Sequence, residues 1–144
     1  MIKGISHAGI GVRDMGVSLQ FYCGLLGLEM LSDMEVEGPI VDDIVGLKDA
    51  KVRIVHLRCG EGQELELFHY MSPGTSSFPK SYRQCDGGII HAALVVDDLM
   101  AMYDRLKAAG VEFNSRPYDL GGTLCVYMRD PDGVTIELVQ RLES

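Results

Sequence analysis

Two distant stretches of the chain are versions of one pattern: SHAGIGVRDM at 6–15 and IHAALVVDDLM at 90–100. Each sets a histidine ahead of alternating small and branched apolar residues, then closes on aspartate before residues with helical spacing. An ordered internal repeat constrains the fold strongly, because each copy must form the same unit and bury the same kind of face. In the first copy, Ile5, His7, Gly9 and Gly11 share one side of an expected strand over 5–12, and Ser6, Ala8, Ile10 and Val12 share the other. Asp14 is a suitable N-cap for a helix carrying Val17, Phe21, Gly24, Leu25 and Leu28 on one stripe. Gly27 suits a left-handed helix end. A strand near 28–33 and the alternating runs KVRIVHLR (51–58) and GQELELFHY (62–70), joined by CGEG, complete the unit.

The second copy repeats the order. IIHAALVV (89–96) reads as its first strand and Asp98 as its cap. Leu99, Met102, Tyr103, Leu106 and Ala109 form the helical stripe, ended by Gly110. VEF (111–113), TLCVYMR (123–129) and VTIELVQ (134–140) read as strands, the last two joined by the turn RDPDG. His7 thus matches His91, and Leu65-Glu66-Leu67 matches Ile136-Glu137-Leu138. The spacing differs, 59 positions in the first copy against 46 in the second, because of an insert at 33–50. Within that insert PIVDDIVGL suits a short helix with Pro39 at its start and Gly46 at its end. It serves either as a cavity cover or as an edge shield. The expected organisation is one domain over 1–144: a first βαβββ module at 1–70, a turn-rich linker at 71–88 and a second βαβββ module at 89–144. The fold class is α+β, with the paired modules forming a curved eight-stranded sheet.

A net charge of −8 disfavours nucleic acid and anionic membrane as partners, since both would repel the chain. No apolar run reaches the roughly 18 residues of a spanning helix. The opening MIKGISHAG lacks a signal-type apolar region, so a cytoplasmic chain is expected. Cys23, Cys59, Cys85 and Cys125 are widely spaced with no C-x-x-C pair, which suits reduced packing thiols.

Strand alternation gives the repeat a chemical meaning. Ile10, Val12, Leu65, Leu67, Leu94, Val96, Ile136 and Leu138 belong under the helices, so His7, Glu66, His91 and Glu137 point to the opposite, concave face. Singly, such a histidine is more often a hydrogen-bonded structural residue, and such a glutamate the polar side of a half-buried strand. Two of the chain's four histidines and a glutamate pair at matching repeat positions change that balance. A carboxylate among apolar neighbours is costly unless paired or metal-bound. Two carboxylates and two imidazoles suit Ni, Zn, Co, Mn or Fe better than Ca or Mg. Glu64 shares the face of Glu66 and is its rival as ligand, and His56 is left open. His69 falls on the face of Leu65 and Leu67 and reads as structural.

The marks SHAGIGVRD, FYCGLLGLEML, ELELF, GIIHAALVVDD and DPDGVTIEL, taken in order, resemble the vicinal oxygen chelate superfamily, which includes glyoxalase I, methylmalonyl-CoA epimerase, extradiol dioxygenases and the fosfomycin- and bleomycin-resistance proteins. The resemblance implies a glyoxalase-like fold, a divalent metal held by His7, Glu66, His91 and Glu137, a small-molecule substrate and a homodimer. It implies a glyoxalase-I-like lyase or isomerase acting through a metal-bound enediolate on a small α-hydroxy-carbonyl or thioester. Glu137 is then the catalytic base and Glu66 the second candidate. The alternatives are an epimerase, a ring-cleaving dioxygenase and a metal-free sequestering protein. The fourth ligand candidate disfavours the dioxygenase, and the absence of Trp disfavours sequestration. Arg13, Arg53, Arg58, Lys80 and Arg83 are substrate-anion candidates by type alone.

Overall fold

The computed structural model describes residues 1–142. Two compact units divide it, Met1–Ser77 and a second that begins at Phe78. The first unit runs β1 (His7–Gly11), α1 (Met15–Leu19), β2 (Glu29–Glu37), α2 (Pro39–Val45), β3 (Lys51–Arg58) and β4 (Glu64–Ser72). Its sheet has the order β1-β4-β3-β2, with β1 parallel to β4 and the other pairs antiparallel. The second unit runs β5 (Ala92–Val95), α3 (Leu99–Ala108), β6 (Tyr118–Asp119), β7 (Thr123–Arg129) and β8 (Thr135–Arg141). Its order, β5-β8-β7-β6, and its parallel β5–β8 pair repeat the first. The α+β class and the paired βαβββ order are as expected. The eight strands are arranged as two four-stranded sheets.

Each unit buries most of the face that alternation assigned to its core, although Leu94 and Val96 of the second are only half-buried. Ile10, Val12, Leu65, Leu67, Val55 and Leu57 are buried in the first, and Val126, Met128, Ile136 and Leu138 in the second. Helix starts follow the caps: Asp14 accepts from the Val17 N–H at 3.0 Å and Asp98 from the Ala101 N–H at 3.0 Å. Gln140 of β8 accepts from the Leu99 N–H at 2.9 Å, tying α3 to the sheet it covers. Pro39 opens α2 and Gly46, at φ 68°, closes it left-handed. The Asp42 carboxylate then accepts from the Asp49 and Ala50 N–H groups at 2.9 and 2.7 Å, joining α2 to the start of β3. In the RDPDG turn the buried Asp130 accepts from the Asp132 and Val134 N–H groups at 2.9 and 2.8 Å.

Several local expectations are corrected. The first helix is α only over Met15–Leu19 and continues as a π-helical turn, Gln20–Leu25, in which the Leu26 N–H reaches the Phe21 carbonyl at 2.9 Å. The wider turn lets Phe21 and Tyr22 both face inward with Met15 and Ser18, whereas Val17 is exposed. Strand β2 runs on to Glu37 and so absorbs the front of the 33–50 insert. The VEF segment supplies only an isolated bridge, Phe113 opposite Met128, and the last edge strand forms later as β6. Cys85 is exposed, so it is no packing residue. No helix among the described residues is long and apolar enough to cross a membrane.

Fully buried Leu67 and Leu138 lie on the central ladder partners of β1 and β5. Replacing either by Ala is expected to cost about 2–5 kcal/mol through lost burial and the cavity left behind. Asp98→Ala should cost about 1 kcal/mol through loss of the cap. Urea unfolding followed by circular dichroism checks both, and equal costs for all three would contradict this account.

Candidate functional site

The two sheets carry the same register. In the first, Gly9 stands opposite Glu66 and Glu66 opposite His56; in the second, Ala93 stands opposite Glu137 and Glu137 opposite Tyr127. Because side chains alternate along a strand, each row lies on the side away from the buried Leu65–Leu67 or Ile136–Leu138 pair. In both units the histidine stands two residues before the strand residue opposite the glutamate, Gly9 or Ala93, and reaches the carboxylate diagonally. His7 Nδ1 is 3.3 Å from Glu66 Oε1, and His91 Nε2 is 3.1 Å from Glu137 Oε2. His91 precedes β5 rather than lying within it, since the ladder begins at Ala92.

The surroundings of the two carboxylates differ. Glu66 is buried, and a second imidazole stands beside it: His56 Nδ1 is 3.1 Å from Glu64 Oε2 and 3.6 Å from Glu66 Oε1. Among the described residues, His56, Glu64 and Glu66 form a group whose ligand atoms lie within 4.8 Å of one another. Glu137 instead has Tyr127 and Cys125 on the neighbouring strand β7. Burial first, and then the negative charge of Glu137, push both the Tyr127 phenol and the Cys125 thiol up, which keeps them protonated. The Tyr127 ring lies 5.1 Å from the His91 ring, centroid to centroid. The His91 Nδ1 atom is buried with no hydrogen-bond partner.

His7, Glu66, His91 and Glu137 thus form an imidazole–carboxylate pair in each unit. His69 is held apart, its Nδ1–H donating to the Val12 carbonyl at 3.1 Å, a structural bond. Three of the candidate cations already face carboxylates. Arg53 pairs with Asp33 at 2.7 Å, Arg58 with Glu29 at 2.9 Å and Arg83 with Asp86 at 3.0 Å. The Arg53 hydrogen bond holds the Asp33 carboxyl below its ordinary range. Sequence reasoning left His56 open, although a usable signal existed. His56 and Tyr127 both stand ten residues before their glutamates, so the hairpin turns align them as repeat partners.

The donor set suits a divalent ion of the zinc and nickel type, because imidazole nitrogens and carboxylate oxygens are its ordinary ligands. The orphaned His91 Nδ1 marks a ring whose polar atoms are not all satisfied within the protein.

A βαβββ unit built twice, with its first and last strands paired in parallel, defines a duplicated α+β class of known fold. The chain belongs to the Glyoxalase/Bleomycin resistance protein/Dioxygenase superfamily, whose match spans residues 4–138. It is 30% identical to a probable lactoylglutathione lyase of Synechocystis, over 93% of this chain and 92% of that one. It is 27% identical to an ethylmalonyl-CoA/methylmalonyl-CoA epimerase of Cereibacter sphaeroides, over 97% of this chain and 99% of the relative. The crystal structure of a glyoxalase family protein from Bacillus cereus matches with a TM-score of 0.89 at 21% identity, covering 99% of this chain and 97% of that one, a likeness of fold.

The neighbourhood of Glu137 makes a titration prediction. Its negative charge is the second cause, after burial, that raises Tyr127. In Glu137→Gln that charge is gone, so the Tyr127 midpoint should move down while burial keeps it above the ordinary value of about 10. Resonances of ¹³C-labelled tyrosine followed against pH report it, and an unmoved midpoint would show that Glu137 does not act on the phenol.

Proposed function

We propose that this chain is a divalent-metal-dependent enzyme of the glyoxalase I type, a lyase or isomerase that acts on a small α-hydroxy-carbonyl, by moving a proton between its neighbouring carbons, or on a thioester, by removing and returning its α-proton. One observation carries the reading: an imidazole–carboxylate pair recurs at matching repeat positions in both units, through Nδ1 of His7 at 3.3 Å and Nε2 of His91 at 3.1 Å. The similarity to a lactoylglutathione lyase supports the reaction type.

In this reading His7, Glu66, His91 and Glu137 would hold a Ni, Zn, Co, Mn or Fe ion. When bound, such an ion supplies polarisation of a substrate carbonyl and stabilises charge on its oxygen. The protein's own part is proton handling. Glu137 takes the proton from the carbon bearing the hydroxyl, becoming a carboxylic acid, and returns it to the former carbonyl carbon, while the hydroxyl proton passes to the former carbonyl oxygen as the double bond shifts. Tyr127 and Cys125 beside it are kept protonated, so neither phenolate nor thiolate competes as a base. Glu66 lies near two imidazoles, His7 and His56, and is the second candidate for the base. The engagement of Arg53, Arg58 and Arg83 with protein carboxylates favours a substrate of modest negative charge.

The same reading makes the protein a cytoplasmic homodimer. Four free cysteines support the reducing compartment. Exposed Ile40 and Ile44 on α2 support a covered apolar surface. Sedimentation as a monomer at working concentration would remove the dimer from the reading.

The reading is tested by offering α-keto hemithioacetals, acyl-CoA thioesters and catechols to protein loaded with Ni, Co, Mn, Zn or Fe. Isomerisation of a hemithioacetal is expected, with turnover lost on chelation and restored by metal. Glu137→Gln should lower turnover by about 10²–10⁴-fold. A variant with near-normal turnover would move the base to Glu66. Exchange at a thioester α-carbon without hemithioacetal turnover would make the chain an epimerase, in keeping with its second relative. Tight ligand uptake by chelated protein, with no product, would replace the enzyme reading altogether.

A further inference from the structure

We propose that His56, Glu64 and Glu66 form a divalent transition-metal site of their own, confined to the first unit and independent of His91 and Glu137. The site shares Glu66 with the four-residue set proposed above but stands without it.

The spacing is that of ligands around one ion. With metal–donor distances of about 2.1 Å, neighbouring ligand atoms are about 3.4 Å apart in a tetrahedron and about 3.0 Å apart at a right angle. His56 Nδ1 stands 3.1 Å from Glu64 Oε2, a hydrogen bond when no ion is present, and 3.6 Å from Glu66 Oε1, and all three ligand atoms lie within 4.8 Å of one another, so side-chain rotation alone would close them on one ion. Two carboxylates and one imidazole neutralise a divalent charge, and the nitrogen donor favours zinc, cobalt or nickel over calcium or magnesium. The three residues lie on β3 and β4, the two central strands of the sheet, where paired backbone on both sides fixes their positions.

Charge on the face supports the same assignment. Glu64 and Glu66 are two residues apart on one strand face, so their carboxylates repel unless a cation stands between them. Arg58, the cross-strand partner of Glu64, is committed instead to Glu29 at 2.9 Å. His7 of β1 stands opposite Glu64 and 3.3 Å from Glu66, and His56 comes within 3.1 and 3.6 Å of the Glu64 and Glu66 carboxylates. The second unit has no such set at the matching places, because Tyr127 stands where His56 does and Thr135 where Glu64 does. The proposed site therefore separates the copies: the fold supplies the row twice, and the first copy alone carries three ligands on it.

The test uses the full chain with zinc and a chromogenic competitor, in a His91→Ala/Glu137→Gln background checked for folding by circular dichroism. About one zinc per chain should remain bound. Adding His56→Gln or Glu64→Gln should weaken that binding by more than about 10-fold, since loss of even an outer-shell partner typically costs about 10–100-fold. No zinc in the background, with zinc bound by the unaltered chain, overturns this site and leaves the four-residue set standing. Zinc that survives both added substitutions also overturns it, assigning the ion to His7 and Glu66. Zinc retained in the background, with no turnover by the unaltered chain, removes the four-residue reading and leaves this one. Should the background fail to fold, ¹⁵N-histidine spectra of the unaltered chain decide the matter. The His56 Nδ1 resonance must shift as zinc is added, and a resonance unmoved at saturation overturns the proposal.

Discussion

The parallel pairing of the first and last strand in each unit is the constraint on which the candidate chemistry depends. It sets β1 beside β4 and β5 beside β8, with Gly9 opposite Glu66 and Ala93 opposite Glu137. Strands that run parallel need a long crossover, and the helix, the edge strand and the antiparallel hairpin partner fill it in both units. What fixes the register is apolar burial on the far face. Leu65, Leu67, Ile136 and Leu138 are nearly or wholly buried, so a slip by one residue would turn all four outward and both glutamates into the core. The hydrophobic pair on either side of each glutamate is therefore what aims the carboxylate.

Given that shared aim, the two copies divide through their neighbours. The Glu66 row holds an imidazole and a glycine, and the ladder step beside it adds Glu64. The Glu137 row holds a phenol and an alanine, with a thiol nearby on β7. One environment is rich in groups that donate lone pairs to a cation. The other raises its own ionisable groups, Tyr127 and Cys125, into their neutral forms and leaves the carboxylate as the local charge. A duplicated backbone can thus keep one geometry and still give one carboxylate imidazole and carboxylate neighbours and the other a phenol and a thiol. Gly9 contributes space as well, because a Cβ there would stand 3.3 Å from the Phe68 ring.

Much of this was legible in the residues because the governing signals are local. Asp14 and Asp98 announce helix starts through a side-chain bond to the third residue on, and the glycines at 27, 46 and 110 take positive φ where the pattern ends. Period-two alternation named the buried faces for the same reason. What escaped depends on tertiary packing. The π-helical turn after α1 widens so that the large rings of Phe21 and Tyr22 both reach the core, which helical periodicity at 3.6 residues does not anticipate. Strand β2 extends to Glu37 because β3 offers it a full-length partner, with the Arg53–Asp33 and Arg58–Glu29 pairs across the ladder. The place of His56 needed both hairpins aligned by their turns, a comparison between copies rather than a reading of either.

The cost of these groups argues for chemistry over stability. A carboxylate on a sheet loses hydration as it is covered, and an imidazole 3.3 Å away returns only part of that loss. Apolar residues of similar volume would serve the fold at least as well, because replacing buried ion pairs in that way is often neutral or stabilising. Local stability therefore gives no reason for both units to carry the same imidazole–carboxylate pair, or for the first to gather three titratable groups on its central strands. A metal ion held as proposed above would supply one: a cation there would take up the lone pairs that the imidazoles and carboxylates present and offset their repulsion. The physical expense of Glu66 and Glu137, set against the ease of filling the same places with leucine or methionine, is what the proposed metal chemistry would account for and local cohesion does not.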